Sequence, residues 1–212
     1  MRSSTGGAGV ARLPLAHELK IRQERVAVLV DLSNLLSMAN EKMKFLSVVG
    51  LVNMLVAQGG NARQRVAGLV ADGVSPYDRK RELLFESIRR NGLDVVIRPG
   101  KIRDGRADCN ADLLLAMEAW KIADNILPDT VIIVSGDKDL EPTVKMLQAR
   151  GIRVEVASSR SFLSRKLAES ADVVHILDGY IEQRPLNRRF LGEAWACHPG
   201  HHPASSPSRG NS

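Results

Sequence analysis

Short apolar runs, separated by segments with helical spacing, fill the chain from about residue 25 to residue 178. The first run, VAVLV at 26–30, is typical of a strand that is buried on both faces of a parallel sheet. Runs of the same kind follow at 65–71, 93–97, 130–134, 152–157 and 172–177. Because these strands alternate with helices, the pattern predicts parallel βαβ units with right-handed crossovers, and therefore an α/β fold.

The segments between the first strands carry helix start and stop signals. Apolar residues at 46, 49, 52 and 56 keep helical spacing, and Gly59-Gly60 predicts where that helix ends. Asp72-Gly73 predicts a turn after the second strand. Ser75-Pro76 then predicts the start of a helix, with the serine as cap and the proline in the first turn.

Length and composition predict one domain with two tails. Of the 212 residues, 25–180 form the predicted domain, 1–24 a flexible arm, and 181–212 a polar, disordered tail. No apolar run approaches the roughly 20 residues that a membrane span needs, and we expect no signal peptide. Cys109 and Cys197 make no disulfide framework, so we expect a reducing, cytoplasmic setting.

The charge balance is basic. Thirty Lys and Arg residues against 24 Asp and Glu residues give a net charge of +6 and a pI near 9.6. Such a balance fits a polyanionic partner without proving one. If several acids are committed to one site, the remaining surface is more positive than the total suggests.

Acidic residues follow strands or begin a helix in three distant parts of the chain. Asp31 ends the first strand, Asp108 and Asp112 begin the helix of residues 108–123, and Asp137 and Asp139 follow the strand at 130–134. In a parallel sheet such positions lie at one edge, where open α/β folds bind their ligands. Carboxylate oxygens are the ligands that Mg²⁺ and Mn²⁺ prefer. The sequence therefore predicts a divalent metal site at this edge.

The helix at 108–123 carries the strongest helical pattern. The residues that recur at helical spacing, and that we expect to be buried, are Leu113, Ala116, Met117 and Trp120. At about 100° per residue, Asp112 lies on the border of this stripe and Asp108 further toward solvent. We therefore predict Asp112 as the better metal ligand and Asp108 as an outer partner.

Helix capping is the alternative role for these acids. Taken singly, Asp137, Asp139 and Asp108 each suit a capping role for the helix beside them as well as a metal site, since Asp is a leading cap residue. Asp31 has a weaker case, a turn role with Ser33 or Asn34. The coincidence of all three segments at one edge favours the metal site.

Three stretches resemble the NYN domain family, which are PIN-like metal-dependent ribonucleases, and most closely its uncharacterised bacterial branch. They are DLSN at 31–34, ADLLLAM at 111–117 and VIIVSGDKDLEPTVKMLQARGIRVEV at 131–156. The resemblance covers about residues 25–178. It implies a three-layer, Rossmann-like parallel sheet of order 3-2-1-4-5, to which we add a possible extra C-terminal strand, and RNA cleavage that leaves a 5′-phosphate and a 3′-hydroxyl.

The resemblance also implies site residues. Asp31, Asp112, Asp137 and Asp139 correspond to the catalytic acids, with Asn34 and Ser135 as polar, substrate-binding support. Our hypothesis is that Asp31, Asp112 and Asp137 hold one Mg²⁺ or Mn²⁺ ion. Many family members place two acids six residues apart, whereas Asp108 and Asp112 are four apart and only Asp112 with Glu118 meets the longer spacing.

RNA is the expected partner, a membrane is not, and a homodimer is left open. We expect Lys101, Arg103 and Arg106, in the basic connection before the helix, to contact backbone phosphates. The alternative is a catalytically inactive RNA-binding or scaffold module of the same family. A haloacid dehalogenase-type phosphohydrolase ranks low because Ser33 stands where its second Asp is required, and no G-x-G-x-x-G follows strand one.

Overall fold

The computed structural model describes residues 22–41, 47–59, 62–74, 79–99, 101–103, 106–108 and 111–182, with the backbone alone at 41, 74, 79–80, 101–103, 106–108 and 182. The predicted arm and tail therefore lie mostly outside the described residues, as do Cys109 and Cys197. No helix in the described part of the chain is long and apolar enough to cross a membrane.

Eight strands and seven α-helices follow one another along the described chain. The strands are β1 (Glu24–Asp31), β2 (Arg63–Val74), β3 (Asp94–Pro99), β4 (Lys101–Arg103), β5 (Arg106–Asp108), β6 (Thr130–Val134), β7 (Arg153–Ser158) and β8 (Val173–Ile176). The helices are α1 (Leu32–Glu41), α2 (Val48–Ala57), α3 (Arg79–Arg90), α4 (Asp112–Asn125), α5 (Glu141–Ala149), α6 (Arg165–Ser170) and α7 (Asp178–Glu182). A 3-10 turn, Lys138–Leu140, precedes α5.

Six parallel strands form the main sheet, in the order β3-β2-β1-β6-β7-β8. This arrangement confirms the predicted order 3-2-1-4-5 with an extra C-terminal strand. The two short strands β4 and β5 form a separate antiparallel pair within the basic connection between β3 and α4. The sequence had indicated only a polar connection there.

The sheet is covered on both faces, which explains why its central strands are continuous apolar runs. Val26, Val28 and Val30 of β1 pack on one face, in a core that α1, α2, α3 and α7 complete. Ala27 and Leu29 pack on the other face, in a core shared with α4, α5 and α6. The result is a three-layer arrangement in which loops after the strands meet at the carboxyl edge.

Several predicted boundaries differ from the structure. α1 begins directly after Asp31, where no separate helix was predicted. Asp72-Gly73 lies inside β2 instead of forming a turn, because β2 continues to Val74 in register with β3. The predicted helix start at Ser75-Pro76 lies outside the described residues, and α3 is described from Arg79. α4 begins at Asp112 instead of residue 108.

The prediction of which face of α4 is buried was wrong. Leu113, Met117 and Trp120 are 65%, 51% and 45% exposed. The buried side is formed instead by Leu115, Ala119, Ile122 and Ala123. α4 is apolar around most of its circumference, so two different sets of its apolar residues recur at helical spacing. The stripe rich in alanine is the one that packs closely on the sheet.

Candidate metal centre

Two neighbouring strands bring the candidate residues to one edge. β1 ends at Asp31 and β6 ends at Val134, and the two strands pair in parallel with Val30 opposite Val134. Residues that follow both strands therefore emerge side by side. α4 starts at the same edge, and Asp112 continues the spacing of its buried residues, so this carboxylate faces inward at the first turn.

Three carboxylates form a cluster at this edge. Asp112, Asp137 and Asp139 each offer an oxygen, and these atoms lie within 4.8 Å of one another. Asp112 and Asp137 are half-buried and Asp139 is exposed. An all-oxygen donor set with access to solvent fits a hard cation such as Mg²⁺ or Mn²⁺, which keeps several waters when protein-bound.

Asp31 lies behind this cluster and is only 5% exposed. Its Oδ1 accepts a hydrogen bond from the backbone N–H of Asn34 (3.0 Å), and its Oδ2 accepts one from Ser135 Oγ (3.1 Å). Burial raises the pKa of Asp31 to about 7; the Asn34 N–H opposes this shift and the Asp112 charge adds to it. Asp31 is therefore a desolvated acid close to Asp112, where a bound cation would favour its ionised form.

Asn34 and Ser135 connect the start of α1 to the loop after β6. The N–H of Gly136 donates to Asn34 Oδ1 (3.0 Å), and the N–H of Asp137 donates to Ser135 Oγ (3.2 Å). Both side chains were predicted to bind substrate. The contacts described here are internal ones, which fix the Asp31 carboxylate relative to the Asp137 loop.

Gly136 is required by close packing at this loop. A Cβ at this position would lie 2.2 Å from the backbone oxygen of Phe162, far inside van der Waals contact. The Gly136 carbonyl also accepts a hydrogen bond from Ser164 N–H (2.9 Å). The loop that carries Asp137 is therefore held on both sides.

Capping, the alternative role, is present as well. Asp137 caps the 3-10 turn by accepting the Asp139 N–H (3.0 Å), and Asp31 caps α1 through the Asn34 N–H. The sequence pattern favours Asp31 least as a cap, yet the structure shows that its carboxylate caps a helix. The N-cap of α4 is Ala111, which makes no side-chain cap bond, and the side chain of Asp108 lies outside the described residues. Each capping bond engages one carboxylate oxygen, so capping and metal binding are compatible.

Sequence reasoning missed a second buried acid. Asp72, at the carboxyl end of β2, is fully buried and forms an ion pair with Arg81 of α3. Burial raises the pKa of Asp72 above its ordinary value, and the Arg81 charge opposes this shift. An acid close after a buried apolar run is the same signal that marks Asp31. At Asp72 the following glycine predicts a turn instead, which hid this signal.

The remaining predicted residues lie around this centre. Lys101, Arg103, Arg106 and Asp108 lie on the β4–β5 pair, which joins the carboxyl end of β3 to the start of α4; their side chains are outside the described residues. Glu118 lies 2.5 Å from Lys121 Nζ on α4 and is not in the carboxylate cluster. The basic pair of strands therefore borders the edge that carries the acids.

Fold and site together define a three-layer α/β protein with a candidate metal centre at the carboxyl edge of its parallel sheet. The chain belongs to the NYN domain family, whose model matches residues 25–178. The family has a PIN-like nuclease fold, its nucleases depend on divalent metals, and NYN domains act on RNA.

A solved structure has the same fold. A protein of unknown function from Vibrio parahaemolyticus is 25% identical, with a TM-score of 0.62, over 74% of this chain and 94% of that chain. An oxidoreductase from Sinorhizobium meliloti is 19% identical over 71% of this chain and 34% of that chain, with a TM-score of 0.34 that is too low to establish a common fold. No curated protein matches the sequence significantly.

Proposed function

We propose that this protein is a Mg²⁺- or Mn²⁺-dependent ribonuclease that hydrolyses RNA phosphodiester bonds. The observation that carries the proposal is the cluster of Asp112, Asp137 and Asp139, whose oxygens lie within 4.8 Å of one another at the carboxyl edge. Membership of a family of metal-dependent RNA nucleases supports the same reaction.

Asp112, Asp137 and Asp139 are the residues that would hold a divalent ion. This set replaces Asp31 of the sequence hypothesis with Asp139, because Asp31 is outside the cluster and both its oxygens already accept hydrogen bonds. Asp31 stays in the proposal as the buried acid next to Asp112, and Asp108 as a residue of the surrounding shell. When bound, a divalent ion supplies charge that stabilises the phosphoryl oxygens and acidifies a water.

The chain's own residues would orient the reaction. Asn34 and Ser135 keep Asp31 and the Asp137 loop at a fixed separation, and the exposed Asp139 is placed to accept a proton or a hydrogen bond from a water. Lys101, Arg103 and Arg106 would neutralise backbone phosphates beside the cluster. The products would carry a 5′-phosphate and a 3′-hydroxyl. A homodimer forms no part of the proposal, and the cytoplasmic location stays a prediction.

The test is cleavage of a fluorescently labelled single-stranded RNA of mixed sequence with Mn²⁺, with Mg²⁺ and with EDTA. Asp112→Asn and Asp137→Asn should each lower kcat/KM at least about 100-fold, because a metal site contributes several kcal/mol to the transition state. The matched control is Asp124→Asn, on the same helix but in an exposed pair with Arg150. Equal activity of Asp112→Asn and the control would refute the proposal.

A wild-type chain that binds RNA but does not cut it with either metal would favour the inactive RNA-binding module. Electron paramagnetic resonance of free Mn²⁺ gives a separate measure of metal binding. End-labelling of the products with polynucleotide kinase, before and after phosphatase, identifies the ends that are left.

A further inference from the structure

A buried ion pair lies near Asp31, on the opposite face of the sheet from α4. Asp72, near the carboxyl end of β2, has no exposed surface, and Arg81 of α3 is 6% exposed. Arg81 Nη1 donates to Asp72 Oδ2 and also approaches the Gly73 carbonyl (3.4 Å). A buried ion pair is weak evidence for stability, because apolar residues of similar volume often stabilise as well or better.

The second oxygen of Asp72 is also engaged. Asp72 Oδ1 accepts a hydrogen bond of 2.6 Å from Ser33 Oγ. Because both oxygens are bonded within the protein, Asp72 is not placed to be a metal ligand. It connects α3 to the first turn of α1, which begins at Leu32.

The first turn of α1 is the part of the chain that fixes the buried acid of the site. Ser33 stands between Asp31 and Asn34, and the Asn34 N–H donates to Asp31 Oδ1. Asn34 Oδ1 in turn accepts the Gly136 N–H, and Ser135 Oγ bonds both Asp31 and the Asp137 N–H. Two sets of hydrogen bonds, joined by the peptide link between Ser33 and Asn34, therefore connect Arg81 to the loop that carries Asp137.

We infer that Arg81, Asp72 and Ser33 are positioning residues for the candidate metal centre, an inference that rests on the proposed function. Arg81 orients the Asp72 carboxylate, Asp72 holds the Ser33 hydroxyl, and Ser33 sets the rotation of the first α1 turn. That rotation decides where Asp31 and Asn34 point. Removing a residue that orients the ligands of a metal commonly changes metal affinity or activity by about 10- to 100-fold.

Ser33→Ala tests this with the smallest change. Changing Asp72 or Arg81 leaves a buried charge without its partner and risks unfolding, whereas Ser33→Ala removes only the hydroxyl. The matched control is Ser37→Ala, one turn later on α1, whose hydroxyl donates to the Ser33 carbonyl (2.7 Å). Ser33→Thr keeps a hydroxyl and serves as the rescue variant.

The readouts are the Kd for Mn²⁺ alone, followed by electron paramagnetic resonance, and kcat and KM on single-stranded RNA. We expect Ser33→Ala to weaken Mn²⁺ binding and lower kcat by about tenfold each, with KM for RNA unchanged. Ser33→Thr should restore both values, and Ser37→Ala should match the wild type. If the Ser33 hydroxyl contributed only to stability, Ser33→Ala would lower the melting temperature and would not lower kcat at constant KM.

Active wild-type protein with Ser33→Ala indistinguishable from Ser37→Ala would overturn the inference and leave the proposed function standing. Wild-type protein that neither binds Mn²⁺ nor cuts RNA would overturn the proposed function, and the inference with it. The two failures are therefore distinguished by the wild-type measurement.

Discussion

Asn34 Oδ1 accepts a hydrogen bond from the backbone N–H of Gly136 at 3.0 Å, across 102 positions of sequence. This bond joins the start of α1 to the loop after β6. Because Gly136 cannot move outward without losing its packing on Phe162, the bond holds Asn34 against a rigid neighbour. The relative position of Asp31 and Asp137 therefore depends on this carboxamide together with the Ser135 hydroxyl, which bonds both residues.

Replacement of Asn34 by alanine should separate the start of α1 from the loop after β6. The change removes the acceptor of a part-buried N–H, which costs about 1–3 kcal/mol in free energy of unfolding. We also expect a lower kcat on RNA, since Asp31 loses its fixed distance from the Asp137 loop. Chemical denaturation and steady-state kinetics measure the two effects.

The control for this change is Asn91→Ala. Asn91 is exposed at the end of α3, where its Nδ2 donates to the Ser87 carbonyl (2.8 Å). It should alter stability little and leave kcat unchanged. If Asn34→Ala keeps wild-type kcat while it loses stability, the carboxamide only supports the fold.

Mn²⁺ should raise the melting temperature of the wild-type protein. A ligand that binds only the folded state adds about 2.7 kcal/mol at 100 times its Kd. Asp139→Asn should reduce this shift, because Asp139 contributes one oxygen to the cluster. Without metal, the same variant should melt slightly higher than wild type, since it removes one of three like charges.

Asp94→Asn, an exposed carboxylate at the start of β3, provides the comparison. This variant should keep the full Mn²⁺-dependent rise in melting temperature, and in EDTA it should melt at the same temperature as the wild type. A wild-type shift retained in Asp139→Asn would exclude Asp139 as a ligand and favour the set of Asp31, Asp112 and Asp137.

The strands followed from the sequence because of where this fold buries its residues, whereas their order was implied by the resemblance to the NYN family. Parallel strands covered on both faces are nearly continuous apolar runs, as VAVLV at 26–30 and VIIV at 131–134 are. The residue after such a strand lies at the carboxyl edge. For this reason Asp31 and Asp137 could be placed at one edge without knowledge of any contact, although their role in metal binding stays a prediction.

Features that depend on approach between distant elements could not be predicted in this way. The pairing of Asp72 with Arg81 requires α3 to pack across the end of β2. The buried face of α4 depends on which stripe fits the sheet. Trp120 remains outside, with the Arg150 guanidinium 3.9 Å from its ring centroid, although apolar spacing alone favoured it as a core residue.

The exposed face of α4 should tolerate polar substitution. Met117→Gln should change the free energy of unfolding by no more than about 0.5 kcal/mol, as for other surface positions. Leu115→Ala, two residues earlier and 1% exposed, should cost about 2–5 kcal/mol. Urea denaturation of both variants measures the difference. A large loss of unfolding free energy in Met117→Gln would indicate that this face of α4 packs against other protein groups.

Glu155 should make stability depend on acid pH. This carboxylate is buried on β7, and its partners are Arg63, Arg153 and His175. Burial by itself would raise the pKa of Glu155, but the hydrogen bonds from these partners lower it from 4.5 to about 2. The folded protein therefore binds this proton less tightly than the unfolded chain.

The resulting stabilisation, about 3 kcal/mol, is fully present above about pH 4.5 and lost as the pH falls toward 2. Denaturation curves from pH 7 to pH 2 should show wild type and Glu155→Gln converging over that range. Glu86→Gln, in an exposed pair with Arg90, should stay parallel to wild type. A constant gap between wild type and Glu155→Gln would contradict this linkage.

The β4–β5 pair should determine how strongly the protein holds RNA and how that affinity depends on salt. Each phosphate contact on a single strand contributes about 0.7 to the slope of log K against log salt. Arg103→Ala with Arg106→Ala should therefore weaken RNA binding in EDTA and flatten the slope by about 1.4, while the Kd for Mn²⁺ stays unchanged. Arg89→Ala with Arg90→Ala removes equal charge from the exposed end of α3 and should have a smaller effect. Equal effects of the two double variants would show that net charge, and not the position of these strands beside the acids, controls binding.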